Sequence, residues 1–89
     1  MTVVRVPPVL RAEAGGSREV EASGATVREL LEDLTIRVPA LGTRVYADGE
    51  LPSFVNVYVD GEDVRLRDGL DTSLRDGSTV ILLPAMAGG

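Results

Sequence analysis

The sequence closes on Leu82-Leu83-Pro84-Ala85-Met86-Ala87-Gly88-Gly89, and the α-carboxyl group of Gly89 is the reactive centre its residue types single out. Two glycines carry no Cβ, so Gly88 and Gly89 can thread a channel too narrow for any other pair. Pro84 fixes φ where the tail begins. The residues after it would reach about 17 Å if extended, enough to carry a carboxylate into a distant, enclosed active site. An α-carboxyl group has a pKa of about 3.3–3.7, so near neutral pH it is a carboxylate and a poor electrophile. Adenylation by ATP would supply a leaving group, and sulfide or a persulfide could then displace AMP to leave a thiocarboxylate. The bland alternative is a frayed terminus with no role.

Nothing else in the chain offers catalysis. The sequence contains no Cys and no His, which removes a thiol nucleophile, the usual zinc ligands and the side chain that titrates near neutrality. Asp60, Glu62 and Asp63 cluster at a turn, but their spacing matches no calcium loop and reads as a solvated hairpin tip. Glu19 and Glu21, and Glu29, Glu32 and Asp33, read as wet faces, some of which could meet arginines of an activating enzyme. Gly15-Gly16-Ser17 is too short for a phosphate loop and lacks its Lys. No metal site and no bound cofactor are expected. A net charge of -5 and a pI near 4.5 argue against nucleic acid as a partner. No apolar run approaches the ~20 residues of a membrane span. The start, Met1-Thr2-Val3-Val4-Arg5-Val6-Pro7, lacks the pattern of a secretory signal, which makes the cytoplasm the expected compartment.

The elements that must position the tail follow from patterning. With 89 residues there is room for one domain. Thr2 to Leu10 is Val-rich and predicts a strand, with Pro7-Pro8 limiting its ladder. Gly15-Gly16 marks a turn and Arg18 to Ala22 alternates as a second short strand, giving an N-terminal hairpin. Thr26 and Glu29 form a capping box before a helix whose Val27, Leu30, Leu31, Leu34 and Val38 share one face. Pro39 ends that helix and could open a further short turn with Ala40 and Leu41. Gly42 to Ser53 reads as a loop. Phe54 to Val59 alternates strictly, Asp60-Gly61 suits a tight turn, and Asp63 to Leu66 predicts the return strand. Asp68-Gly69 and Asp76-Gly77 mark turns around a short connection. Thr79 to Leu83 is apolar on both faces, as a covered central strand would be.

The order strand, strand, helix, strand, strand, strand predicts an α+β β-grasp, a mixed sheet of about five strands with one main helix packed on one face. Residues 1–84 would form that domain and 85–89 the flexible tail. If Val55, Val57 and Val59 face the helix, Phe54 and Tyr58 sit on the open face, beside Ile81 and Leu83, as a partner-binding patch. The alternative is that the Gly42 to Ser53 loop covers them.

The stretch from Phe54 to Arg65, then Gly69-Leu70, Asp76-Gly77 and Leu82 to Gly89, resembles the ThiS/MoaD sulfur-carrier family, most closely its CysO-like branch of cysteine-biosynthesis carriers. The resemblance implies a ubiquitin-like carrier that is not itself an enzyme and is a monomer when free. An E1-like adenylyltransferase/sulfurtransferase would use ATP to activate Gly89. Gly88, Ala87, Met86, Ala85 and Pro84 would thread into partner active sites. A PLP-dependent cysteine-synthase-like enzyme would accept the sulfur, and a zinc metalloprotease would release the product; PLP and zinc belong to those partners. Three alternatives stay open: the small subunit of a molybdopterin synthase, a protein modifier joined to amines through Gly89, and an interaction module whose Gly-Gly end is incidental. Without Lys the chain cannot form Lys-linked chains with itself.

Overall fold

Val-rich alternation and two helix caps produce the architecture seen in the computed structural model, which describes residues 1–84. Five strands, β1 (Thr2–Arg5), β2 (Glu19–Ala22), β3 (Val55–Val59), β4 (Glu62–Asp63) and β5 (Thr79–Pro84), form one sheet in the order β2-β1-β5-β3-β4. β5 lies in the middle, parallel to β1 and antiparallel to β3; the two outer pairings are antiparallel. Helix α1 (Val27–Arg37) and helix α2 (Pro39–Val45) lie against each other, and α1 also meets β2. Together these elements form the mixed sheet and packed helix of the β-grasp.

Alternation decides which side of the sheet is buried. Val4, Val55, Val57, Val80 and Leu82 are almost fully enclosed and join Val27, Leu30, Leu31 and Leu34 of α1 in one core. Val38, the last position of the predicted helical face, packs at the edge of that core as the C-cap of α1. The cap at the other end is close to the predicted box. The Glu29 backbone N–H donates to Thr26 Oγ1 at 3.3 Å, while Glu29 Oε1 accepts from the Ala25 N–H at 3.0 Å, one residue upstream of the expected donor.

Four predicted elements change. The first strand stops at Arg5 instead of reaching Leu10, because Pro7 and Pro8 have no N–H for a ladder; Pro8–Ala14 coils into a 3₁₀ segment that buries Leu10 and Ala14. The hairpin of β1 and β2 is therefore joined through this segment, ended by Gly15 at φ 67°. The expected loop from Gly42 to Ser53 starts later, since α2 runs on to Val45 and buries Leu41, Gly42 and Val45. Within the remaining loop, Ala47 and Glu50 exchange backbone hydrogen bonds across Asp48 and Gly49. The return strand is only Glu62–Asp63, because Asp63 accepts from the Arg65 N–H at 2.9 Å and caps a 3₁₀ turn, Val64–Leu66, that turns Val64 into the core. Finally, β5 is covered on one face alone: Val80 and Leu82 are buried, whereas Leu83 on the other side is 41% exposed.

Among the described residues no helix is long and apolar enough to cross a membrane. Nor do those residues bring together three His, Cys, Asp or Glu side chains able to hold a metal ion.

Candidate functional site

The end of β5 is where the scaffold delivers its tail. Val57, Tyr58 and Val59 of β3 stand opposite Leu82, Ile81 and Val80, and Val3 to Arg5 of β1 run alongside Thr79 to Ile81. β1 holds β5 over Thr79 to Ile81 and β3 holds it from Val80 to Pro84, so the direction in which the chain leaves at Pro84 is set by the sheet. Pro84 is the last residue of β5 and lies across from Val55. Residues 85–89, which include Ala85, Met86, Ala87, Gly88 and the predicted reaction site Gly89, lie outside the described residues.

The start of β5 is anchored as firmly. Asp60 and Gly61 both take positive φ, 50° and 90°, in the two-residue turn after β3. That turn aims the Asp60 carboxylate at β5, where Oδ1 accepts from the Thr79 N–H at 2.9 Å and Oδ2 from the Ser78 hydroxyl at 3.2 Å. The cluster of Asp60, Glu62 and Asp63 is thus structural: Asp60 ties the turn to β5, Glu62 pairs with Arg67 at 2.6 Å, and Asp63 caps the 3₁₀ turn.

The open face of the sheet carries the side chains that alternate with the core. Tyr58 and Ile81 are register partners there and half-buried, and Leu83 lies beside Asn56. The structure therefore brings Tyr58, Ile81 and Leu83 onto one surface, at the tail end of the sheet. Phe54 comes just before β3, is 49% exposed, and lines a groove with Thr43, Arg44, Ala47 and Pro52. The loop after α2 thus borders Phe54 without covering it, and leaves Leu83 open.

Cationic side chains frame the same end of the sheet, which the sequence reading did not anticipate. Arg65 donates to the Val55 carbonyl at 3.0 Å and to Asn56 Oδ1, the residues in register with Pro84 and Leu83. On the other side of β5, Arg5 lies alongside Ile81, and Arg11 donates its Nε–H to the Val6 carbonyl at 3.2 Å. Arg5 follows the buried Val4 in β1 and so falls on the open face of the sheet. The neighbour it faces depends on a pairing between the two ends of the chain, which no local pattern reveals.

Comparison with known proteins places this geometry. The model of the ThiS family matches residues 4–89. The sulfur carrier protein CysO of Mycobacterium tuberculosis is 42% identical over 89 residues, covering 97% of this chain and 96% of that protein. A crystal structure of M. tuberculosis CysO superposes with a TM-score of 0.88, at 38% identity over 97% of this chain and all of the other. A chain of the BexX/CysO complex of Amycolatopsis orientalis superposes with a TM-score of 0.89 and 43% identity, each chain covered in full. The small archaeal modifier protein 1 of Methanosarcina acetivorans follows at a TM-score of 0.84 and 30% identity, over 99% of this chain and 95% of its own.

Proposed function

The chain belongs to the ThiS family, and from that membership we propose that it is a sulfur carrier whose C-terminal residue, Gly89, bears the sulfur as a thiocarboxylate. The observation that carries this reading is the near-full-length similarity to CysO, on a scaffold whose central strand runs straight into the tail. The carrier supplies no catalytic group of its own, in keeping with a sequence that lacks Cys and His.

The loading chemistry balances in two displacements. A Gly89 carboxylate oxygen attacks the α-phosphorus of ATP, and pyrophosphate leaves. Sulfide then attacks the carbonyl carbon of the acyl adenylate, and AMP takes the bonding pair; a persulfide would instead form an acyl disulfide, and a third displacement, by a thiol that leaves as a disulfide with the donor's sulfur, would free the same product. What remains is a thiocarboxylate, a sulfur nucleophile held at the end of a thin tail. An E1-like adenylyltransferase/sulfurtransferase performs both steps in this proposal. Pro84, Ala85, Met86, Ala87 and Gly88 form the thread that enters its active site, and Tyr58, Ile81 and Leu83 rest on its surface. A PLP-dependent cysteine-synthase-like enzyme then takes the sulfur and a zinc metalloprotease frees the product. All of this is assigned to the cytoplasm, with the free carrier a monomer. Likeness to an archaeal modifier protein supports a second use of the same carboxylate, attachment to amines of other proteins.

Intact-mass analysis of the protein from its native host tests the proposal. An oxygen-to-sulfur exchange at Gly89 is expected, and a cysteine adduct would identify the acceptor branch. An isopeptide remnant of the tail on other proteins would favour the modifier. A chain lacking Gly89 that still sustains sulfur transfer in that host would overturn the reading.

A further inference from the structure

The open face of the sheet is electrically polarised along β5. Where β5 begins, the Asp60 carboxylate holds the Thr79 N–H, and Glu21 stands across from Val3, the parallel neighbour of Thr79. Where β5 ends, guanidinium groups outnumber carboxylates among the described residues, Glu19 being set across from Arg5. Arg65 is fixed over Val55 and Asn56 on one side. On the other, Arg5 and Arg11 line a groove of about 210 Å³ together with Pro7, Pro8, Ile81 and Leu83. That groove adjoins a cavity of about 630 Å³ that shares Arg5 and Arg11 and adds Arg18, with Glu19 its one carboxylate among the described residues.

Few carboxylates oppose these arginines, although Arg11 and Arg65 also hold backbone carbonyls. Arg5 meets Glu19 at 3.5 Å, with both side chains more than half exposed, and among the described residues Arg11 and Arg18 form no ion pair. A local cationic excess on a chain of net charge -5 works against the overall field, so it acts at short range and at one place. All of the groups are arginines, whose planar fork matches a carboxylate with two parallel hydrogen bonds. They surround an exposed apolar centre of Leu83 and Pro8, the layout of a docking surface with an apolar middle and a charged rim.

We propose that Arg5, Arg11, Arg18 and Arg65 form a cationic collar around the tail's exit, and that it docks on carboxylates ringing the mouth of the partner site that receives the tail. The inference rests on the sulfur-carrier reading. Charge complementarity selects the occupant: a protein surface with Asp and Glu side chains set around an apolar contact. The nucleotide phosphates are not its target in this proposal, because the five residues after Pro84 would reach about 17 Å if extended and carry the activated carbonyl beyond the collar.

The test uses the full chain and the ATP-dependent activating enzyme of the same organism, with loading followed by intact mass as carrier concentration and salt are varied. Arg5→Gln/Arg11→Gln is compared with Arg37→Gln/Arg75→Gln, which changes net charge equally but lies on α1 and before β5, away from the exit. The collar pair is expected to lose about tenfold in kcat/KM with kcat preserved and a flatter salt dependence, and the control pair less than about twofold. Arg65→Gln added to the collar pair deepens the loss. Because Arg11 also holds the Val6 carbonyl, Arg5→Gln/Arg18→Gln serves as the second collar pair should the first melt early. Equal losses in collar and control pairs, or loading indifferent to salt, would overturn the collar alone. Failure of the wild-type chain to load at any salt would overturn the sulfur-carrier reading and the collar with it.

Discussion

Replacing Gly42 with Ala tests whether α1 and α2 touch backbone to backbone. A Cβ built at position 42 stands 2.5 Å from Thr35 Oγ1 and nearer still to Thr35 Cα. The Thr35 hydroxyl is itself tied to the Leu31 carbonyl at 2.8 Å, so it has little freedom to yield. Overpacking of this kind costs about 1–3 kcal/mol, and a clash with backbone belongs at the upper end. Against it, Ala gains about 1 kcal/mol over Gly in a helix interior. The difference is a loss of roughly 2 kcal/mol, and at about 4–8 °C per kcal/mol for a domain this size the midpoint falls by about 8–16 °C. Thermal unfolding followed by circular dichroism reads that shift, and urea unfolding with an unchanged slope confirms that the native state alone was affected. Adding Thr35→Ala should not restore stability, since Cα and Cβ of residue 35 stay in place. A Gly42→Ala protein that melts within about 2 °C of wild type, or above it, would refute the close approach.

Two further outcomes follow from hydrogen bonds already described. Asp60→Ala removes both acceptors that hold Thr79 and Ser78 and places Ala at φ 50°; a loss of roughly 2 kcal/mol in urea unfolding is expected, against about 1 or less for Asp60→Asn, which keeps an acceptor and tolerates the turn. The Asp33 carboxyl is held below the usual range, first by the Ser23 backbone N–H at 2.8 Å and then by Arg37 Nε at 2.6 Å. A folded pKa below the unfolded one gives stability that is complete above the ordinary carboxylate range and lost as pH falls through the folded value. Wild type should therefore exceed Asp33→Asn near neutral pH, with the gap closing below about pH 4, as denaturant midpoints across pH would record.

Where one local signal dominated, the fold was legible. Helix α1 could be read from a cap and an unbroken apolar face, and β3 from strict alternation before an Asp-Gly turn. The misreadings share a cause: a rule applied past the residue that cancels it. Val-rich composition promised a strand through Leu10, yet two prolines withdrew the N–H groups a ladder needs. Gly42 looked like a breaker, but it is the residue that lets α2 lie against Thr35. Val64 to Leu66 were assigned to the return strand although the Asp63 side chain caps them as a turn. At the site, Tyr58, Ile81 and Leu83 followed from alternation alone. Arg5 and Arg11 did not, because their neighbours in β5 lie more than seventy positions away in the chain, as in the pairing of Val3 with Thr79.

The central place of β5 also decides how the molecule bears a pull. A force drawn along the end of the chain enters at Pro84 and runs down the axis of a strand bonded to β3 from Pro84 to Val80 and to β1 from Ile81 to Thr79. The rungs on each side are loaded together, in shear, instead of being peeled open in turn as they would be on an outer strand such as β2 or β4. A pull on the end of the chain would thus have to slide β5 past both neighbours at once, where an outer strand could be stripped away one rung at a time.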